Sequence, residues 1–120
     1  MEIKTDQKGD VLVVRPKGEL TTTSEQALRR VFVESASQDQ TALVIDMGGV
    51  DFVDSSGLGV LIWGMKNMRQ RGGDVRLFGL TKLVEDVFDI TQLKLAFQTF
   101  ETEREALANF DTKKETTDGD

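Results

Sequence analysis

Cysteine and histidine are both missing from this chain of 120 residues. The first absence excludes disulfide scaffolds, thiolate metal sites and thiol catalysis, and gives no sign of an oxidising compartment. The second removes the usual general base, the Ser-His-Asp triad and the imidazole metal ligand together. Long apolar runs are lacking as well: a membrane span needs roughly 18 consecutive apolar residues, and the longest candidate is interrupted by Gly57, Gly59 and Gly64. Residues 1–10 alternate polar and apolar types with no basic start before a long apolar run, so no secretory signal is expected. The expectation is a soluble, cytoplasmic protein without membrane contact. Positive charge is the minority: 15 Lys and Arg stand against 21 Asp and Glu, a net charge of −6 that opposes binding to nucleic acid or anionic lipid. A protein partner fits this balance better.

The length suits one domain with one core. Residues 11–14, Val-Leu-Val-Val, follow the turn Lys8-Gly9-Asp10 and a weaker strand around Ile3, which predicts an opening hairpin. Thr22, Thr23 or Ser24 can cap a first helix carrying Ala27, Leu28, Val31 and Phe32 at helical spacing to about Ser37. Residues 42–45, Ala-Leu-Val-Ile, read as a central strand covered on both faces. After a loop over residues 47–54, the stripe Leu58, Leu61, Ile62, Met65 and Met68 predicts a second helix, stopped by Gly72-Gly73. A strand over 75–78, a short helix carrying Leu83, Val84, Val87 and Phe88, a strand over 95–100 and a helix opened by a Thr102/Glu105 capping box complete the pattern. The fold class is therefore α/β: a small mixed sheet of four to five strands packed with about four helices, over residues 1–110. Residues 111–120 read as a disordered polar and acidic tail. The strands at 42–45 and 75–78 flank a helix and should be parallel neighbours, which places the intervening loop at a strand's carboxyl end.

That loop carries the chemistry. Asp54-Ser55-Ser56-Gly57-Leu58-Gly59 sets hydroxyls at a helix start, where backbone N–H groups lack intrahelical partners and the dipole favours anions. A serine there can simply cap the helix or can carry a phosphate without breaking the fold. Asp54 can position the hydroxyl, dock a basic partner or interact with the helix dipole. Between Arg30 and Lys66 there is no Lys or Arg, whereas Glu34, Asp39, Asp46, Asp51 and Asp54 fall in that interval. A phosphate would add about −1.5 to −2 charges with no basic side chain close in sequence to pair it, so its effect should fall on partners. The amides of residues 56–58 are expected to accept it locally. Ser56, Val60, Trp63 and Asn67 share the helix side opposite the apolar stripe. Val60 and Trp63 are therefore expected to form an exposed apolar patch near Ser55, suited to a partner. Gly57, Gly59 and Gly64 each cost the helix up to about 1 kcal/mol against alanine, which implies close approach of either a partner or the sheet.

Residues 43–71, with Asp46 and Gly49-Val50-Asp51-Phe52-Val53-Asp54-Ser55-Ser56-Gly57-Leu58-Gly59, closely resemble the anti-sigma factor antagonists of the STAS domain family. Gly18-Glu19-Leu20, Gly72-Gly73-Asp74-Val75, Leu83, Phe88 and Thr91-Gln92-Leu93 extend the likeness to roughly residues 10–110. The resemblance implies a STAS-type sheet packed by helices and a partner-switching regulator of bacterial transcription rather than an enzyme. In that family the unphosphorylated antagonist binds an anti-sigma factor that is also a serine kinase, and so frees the sigma factor. Phosphorylation of the first serine after the motif aspartate ends that binding, and a PP2C-type phosphatase restores it. Ser55 occupies that position here, with Ser56 as the second candidate. ATP and magnesium would belong to the partners, so no cofactor is expected of this chain, and the protein itself would be a monomer or weak dimer. Asp54, Ser56, Gly57, Val60, Trp63 and Thr21 are the expected partner-binding residues. Many members carry Asp where this chain has Thr21, in Gly18-Glu19-Leu20-Thr21, which bears on the kinase contact.

Two enzyme-like readings fit poorly. A hydrolase elbow needs Gly-x-Ser-x-Gly and a histidine, whereas Val53-Asp54-Ser55-Ser56-Gly57 has neither. A nucleotide site would need the P-loop lysine at its spacing, and the acidic surroundings oppose a polyphosphate. The remaining alternative keeps the fold and changes the role: a STAS scaffold or interaction module of another signalling or lipid-transport complex, or the tail of an anion transporter, without a phospho-switch.

Overall fold

The computed structural model describes residues 1–110. The expected tail, residues 111–120, lies outside them. Strands β1 (Glu2–Lys8) and β2 (Val11–Leu20) form the opening hairpin, followed by α1 (Glu25–Ser37) and β3 (Ala42–Asp46). A 3-10 turn (Met47–Gly49) leads to β4 (Val50–Val53), α2 (Ser55–Gln70) and β5 (Asp74–Phe78). Helix α3 (Lys82–Ile90), a second 3-10 turn (Leu93–Leu95), β6 (Gln98–Phe100) and α4 (Glu103–Leu107) close the described chain.

The sheet has six strands in the order β1-β2-β3-β5-β6, and β4 pairs with β2 off that path. Among the described residues the β1/β2 hairpin is antiparallel and the other strand pairs are parallel. β3 and β5 are neighbours, in register from Ala42↔Asp74 to Asp46↔Phe78, as the crossover reading requires. The ten residues of β2 serve two partners: Leu12–Val14 pair with β3, and Gly18–Leu20 pair with β4, with a register shift between Gly18 and Glu19. The extra residue of this bulge is Asp51 of β4, which stands unpaired between Val50 and Phe52. β4 corrects the expected loop over residues 47–54, and the sheet has one strand more than expected. The strand expected over 95–100 is confined to β6, because residues 93–95 turn instead and leave Leu95 85 % exposed.

Side-chain alternation sorts the core into two layers. Val14, Leu43, Ile45, Val75 and Leu77 meet Leu28, Phe32, Leu61, Met65, Met68, Val84 and Phe88 of helices α1–α3. Val11, Val13, Ala42, Val44 and Phe78 meet Ala106 of α4 on the other side. β3 is thus covered on both faces, as its continuous apolar run indicates. The capping box of α4 forms as read: Glu105 N–H donates to Thr102 Oγ1 at 3.2 Å, and Glu105 Oε1 accepts the Thr102 N–H at 3.3 Å. Arg15 of β2 ties this helix to the sheet, donating to Glu103 at 2.8 Å, Asp46 at 3.3 Å and Asp6 at 2.9 Å. Helix α2 ends where Gly72-Gly73 predicts, the Gly73 N–H reaching Met68 O at 2.9 Å and the Gly72 N–H reaching Arg69 O at 3.1 Å, a Schellman arrangement.

Candidate functional site

The site forms where two strand ends and two helix starts converge. β2 ends at Leu20 and β4 at Val53, and the two are paired in parallel. The chain beyond Leu20 enters α1 and the chain beyond Val53 enters α2. The Asp54 N–H donates to Leu20 O at 3.2 Å, which ties the start of α2 to the end of β2.

Asp54 is the N-cap of α2. Its Oδ1 accepts the Gly57 N–H at 2.9 Å, and its Oδ2 accepts the Thr22 N–H at 3.1 Å and the Thr22 hydroxyl at 3.4 Å. The Gly57 N–H bond, followed by those from Thr22 and Ser56, holds the Asp54 carboxyl below the ordinary carboxylate range. The group is therefore ionised at neutral pH. Ser55, the first residue of α2, is exposed and makes no side-chain hydrogen bond among the described residues. Ser56 is half-buried, and its Oγ lies 2.9 Å from Thr22 Oγ1. The adjacent serines thus differ: one hydroxyl is free and turned to solvent, the other is engaged.

The amides expected to receive a phosphate are mostly taken. The Gly57 N–H is used by Asp54, and the Leu58 N–H makes the first intrahelical bond, to Asp54 O at 2.9 Å. A phosphate on Ser55 would stand beside an ionised carboxylate that already occupies the helix cap.

Gly57 is buried, and its role is internal. A Cβ there would lie 2.3 Å from Leu20 O and 2.9 Å from Leu20 Cγ, so the glycine lets α2 start against the end of β2. Gly64 serves the same end further along, where a Cβ would lie 2.3 Å from the Phe32 ring of α1. Both are close approaches within the fold, whereas a Cβ at Gly59 meets nothing within 4 Å.

The expected Val60–Trp63 patch requires correction. Val60 is 0 % exposed and belongs to the core with Leu28 and Phe32 of α1. Helix α1 lies along the side of α2 that the sheet leaves uncovered, which removes Val60 from any partner surface. Trp63 is half-buried, edge-on to Phe32 with ring centroids 6.2 Å apart at 73°, and the Arg29 guanidinium lies 4.8 Å from its centroid. Its free flank lines a groove of about 220 Å³ with Val33, Asn67 and Arg71.

Thr21 is near the site but turned aside: its hydroxyl lies 3.1 Å from that of Thr23, and its carbonyl accepts the Ser24 and Glu25 N–H groups that start α1. Thr22 is the residue that reaches Asp54 and Ser56. In sequence its only signal is membership of the Thr21-Thr22-Thr23-Ser24 run, which reads as helix capping. Ser24 is the N-cap of α1, and its hydroxyl donates to Glu19 O at 2.6 Å. Among the described residues no group of three or more acidic side chains could hold a metal ion, and no helix is long and apolar enough to cross a membrane.

With a mixed sheet, helices on both its faces and a serine at the start of α2, the architecture is that of a STAS domain. The STAS domain model matches residues 2–106, and the chain belongs to this family. An anti-sigma-B factor antagonist of Bacillus subtilis is 34 % identical over 96 residues, covering 78 % of this chain and 87 % of that protein. The crystal structure of an anti-sigma factor antagonist from Mycobacterium paratuberculosis superposes with a TM-score of 0.82 at 22 % identity, covering 91 % of this chain and 92 % of that one. The Bacillus cell fate determinant SpoIIAA, solved in its phosphorylated form, gives a TM-score of 0.70 at 22 % identity over 88 % of this chain and 96 % of its own.

Proposed function

We propose that this chain is an anti-sigma factor antagonist whose unphosphorylated form binds an anti-sigma factor with serine kinase activity and so releases a sigma factor. Phosphorylation at Ser55 switches that binding off, and a PP2C-type phosphatase reverses it. The protein works in the cytoplasm as a binding partner and not as an enzyme. The observation that carries the reading is the exposed, unengaged Ser55 hydroxyl on the first residue of a helix whose cap, Asp54, is rigidly held. The names of the curated relatives and the phosphorylated state of SpoIIAA support it. Asp54, Ser56, Thr21 and the free flank of Trp63 remain the proposed contact residues.

The charge arithmetic favours a switch of partners over a change of shape. A phosphate at Ser55 adds about −1.5 to −2 charges in a stretch with no basic residue between Arg30 and Lys66. An unpaired charge in an interface costs roughly 2 to 5 kcal/mol, or about thirtyfold to several thousandfold in affinity. Calorimetric titration of the host's anti-sigma factor kinase with Ser55→Ala and Ser55→Asp tests the reading. Ser55→Ala should bind as the unmodified protein does, and Ser55→Asp should fold normally yet bind at least about thirtyfold more weakly. Equal affinities for the two variants refute the switch.

A further inference from the structure

Two hydroxyls stand side by side in Ser55-Ser56, and a kinase docked on this site meets both. We propose that Thr22 is the residue that makes Ser55 the acceptor, by locking Ser56 into a hydrogen-bonded chain; this inference rests on the phospho-switch reading above. Thr22 Oγ1 lies 3.4 Å from Asp54 Oδ2 and 2.9 Å from Ser56 Oγ. A carboxylate only accepts, so Thr22 is the donor in the longer contact; in the 2.9 Å contact either hydroxyl can donate, and Ser56 is the donor whenever the Thr22 proton faces Asp54. In either arrangement Thr22 engages the Ser56 hydroxyl at 2.9 Å, and Asp54 holds Thr22 in place through the Thr22 N–H at 3.1 Å.

Phosphoryl transfer consumes a nucleoside triphosphate held by the kinase. The serine oxygen forms a bond to the γ-phosphorus, the bond from that phosphorus to the β,γ-bridging oxygen breaks, the nucleoside diphosphate leaves, and the serine proton passes to a base of the kinase or to water. Ser55 can turn its oxygen to the γ-phosphorus without losing any bond, because it has none to lose among the described residues. Ser56 must first leave Thr22, and a phosphate placed on it would crowd the Asp54 oxygen that Thr22 also contacts. Both effects act in the same direction. Thr22 touches no reacting atom in this account; it is a positioning residue, supplied by the loop between β2 and α1, 34 residues away from Ser56 in sequence.

Thr22→Val is the suitable probe, because valine keeps the β-branched shape and the backbone N–H bond to Asp54 and removes only the hydroxyl. Each of four proteins is incubated with ATP and the host's anti-sigma serine kinase, then analysed by intact mass and fragment mapping: wild type, Ser55→Ala, Ser55→Ala/Thr22→Val and Ser55→Ala/Thr22→Ser. The expected results are one phosphate on Ser55 of the wild type, almost none on Ser55→Ala, and a threefold to tenfold gain on Ser56 of the valine double variant, the ratio that one hydrogen bond of ordinary strength represents, roughly. The serine double variant restores the hydroxyl and should return to the level of Ser55→Ala, a rescue that loss of stability alone would not produce. Equal Ser56 phosphorylation in all three Ser55→Ala proteins overturns the role of Thr22 and leaves the switch standing. A wild type that takes no phosphate overturns the switch itself, and the inference with it.

Discussion

Replacing Gly57 by alanine tests whether the site is clamped to the sheet. The added Cβ would lie 2.3 Å from Leu20 O and 2.9 Å from both Leu20 Cγ and Val53 Cγ1. The nearest of these atoms is backbone, and it is the same carbonyl that accepts the Asp54 N–H at 3.2 Å. Relief therefore requires α2 to move off the end of β2, and that bond stretches as it does. Overpacking of this kind costs about 1–3 kcal/mol and a weakened hydrogen bond about 1 kcal/mol, against a gain of about 1 kcal/mol from alanine in a helix. The net loss is about 1–3 kcal/mol, a fall in Tm of roughly 5–15 °C for a domain of this size. Gly59, two residues on, is the internal control: with nothing within 4 Å of its Cβ, Gly59→Ala should gain up to about 1 kcal/mol from helix propensity and melt slightly higher. Thermal unfolding followed by circular dichroism distinguishes the two. A Gly57→Ala protein that melts at or above wild type, alongside Gly59→Ala, would mean that α2 does not start in contact with Leu20.

Two further outcomes follow from contacts already described. Arg15 pulls the Glu103 carboxyl below its ordinary range, chiefly through their hydrogen bond. A depressed carboxylate contributes stability above its unfolded pKa of about 4.3, and loses it as pH falls through the lower folded value. The difference in melting temperature between wild type and Arg15→Gln should therefore be full at pH 6–7 and shrink below about pH 4; an unchanged difference at low pH would exclude the pair as its source. Trp63→Ala removes a ring packed on Phe32 at 6.2 Å and beneath Arg29. It should cost about 1–3 kcal/mol, less than the 3–5 of a fully buried ring, and keep cooperative melting. Loss of cooperativity would place Trp63 in the core, whereas unaltered capture of the anti-sigma partner would remove it from the binding surface.

The sequence is most legible where information is local. The Thr102/Glu105 box, the Gly72-Gly73 stop and the four apolar residues of β3 each state their role within a few positions, and all three form as read. β4 is hidden because Val50-Asp51-Phe52-Val53 is short, carries an acid inside it and pairs with Gly18–Leu20, some thirty residues earlier. The same non-locality explains Thr22, whose partners are Asp54 and Ser56. Val60 fails for another reason. Helical period tells which residues share a side of α2, but how many sides the rest of the fold covers depends on where α1 lies. The hydroxyl at the helix start was legible because it depends on local sequence alone, but the cap expected of a serine falls to Asp54, which accepts the Gly57 N–H; the close approach that explains Gly57 depends on Leu20 and was not legible.

The tie between the end of β2 at Leu20 and the helix cap at Asp54 has a kinetic corollary. A docking face that is already rigid asks little ordering of itself when a regulator arrives, so the entropy lost on association stays small. Encounter rates should then be nearly the same for every charge state of the face, apart from steering. Under the phospho-switch proposed above, a phosphate would act on how long the complex stays together, so its lifetime, measured as a dissociation rate, is where control would be read.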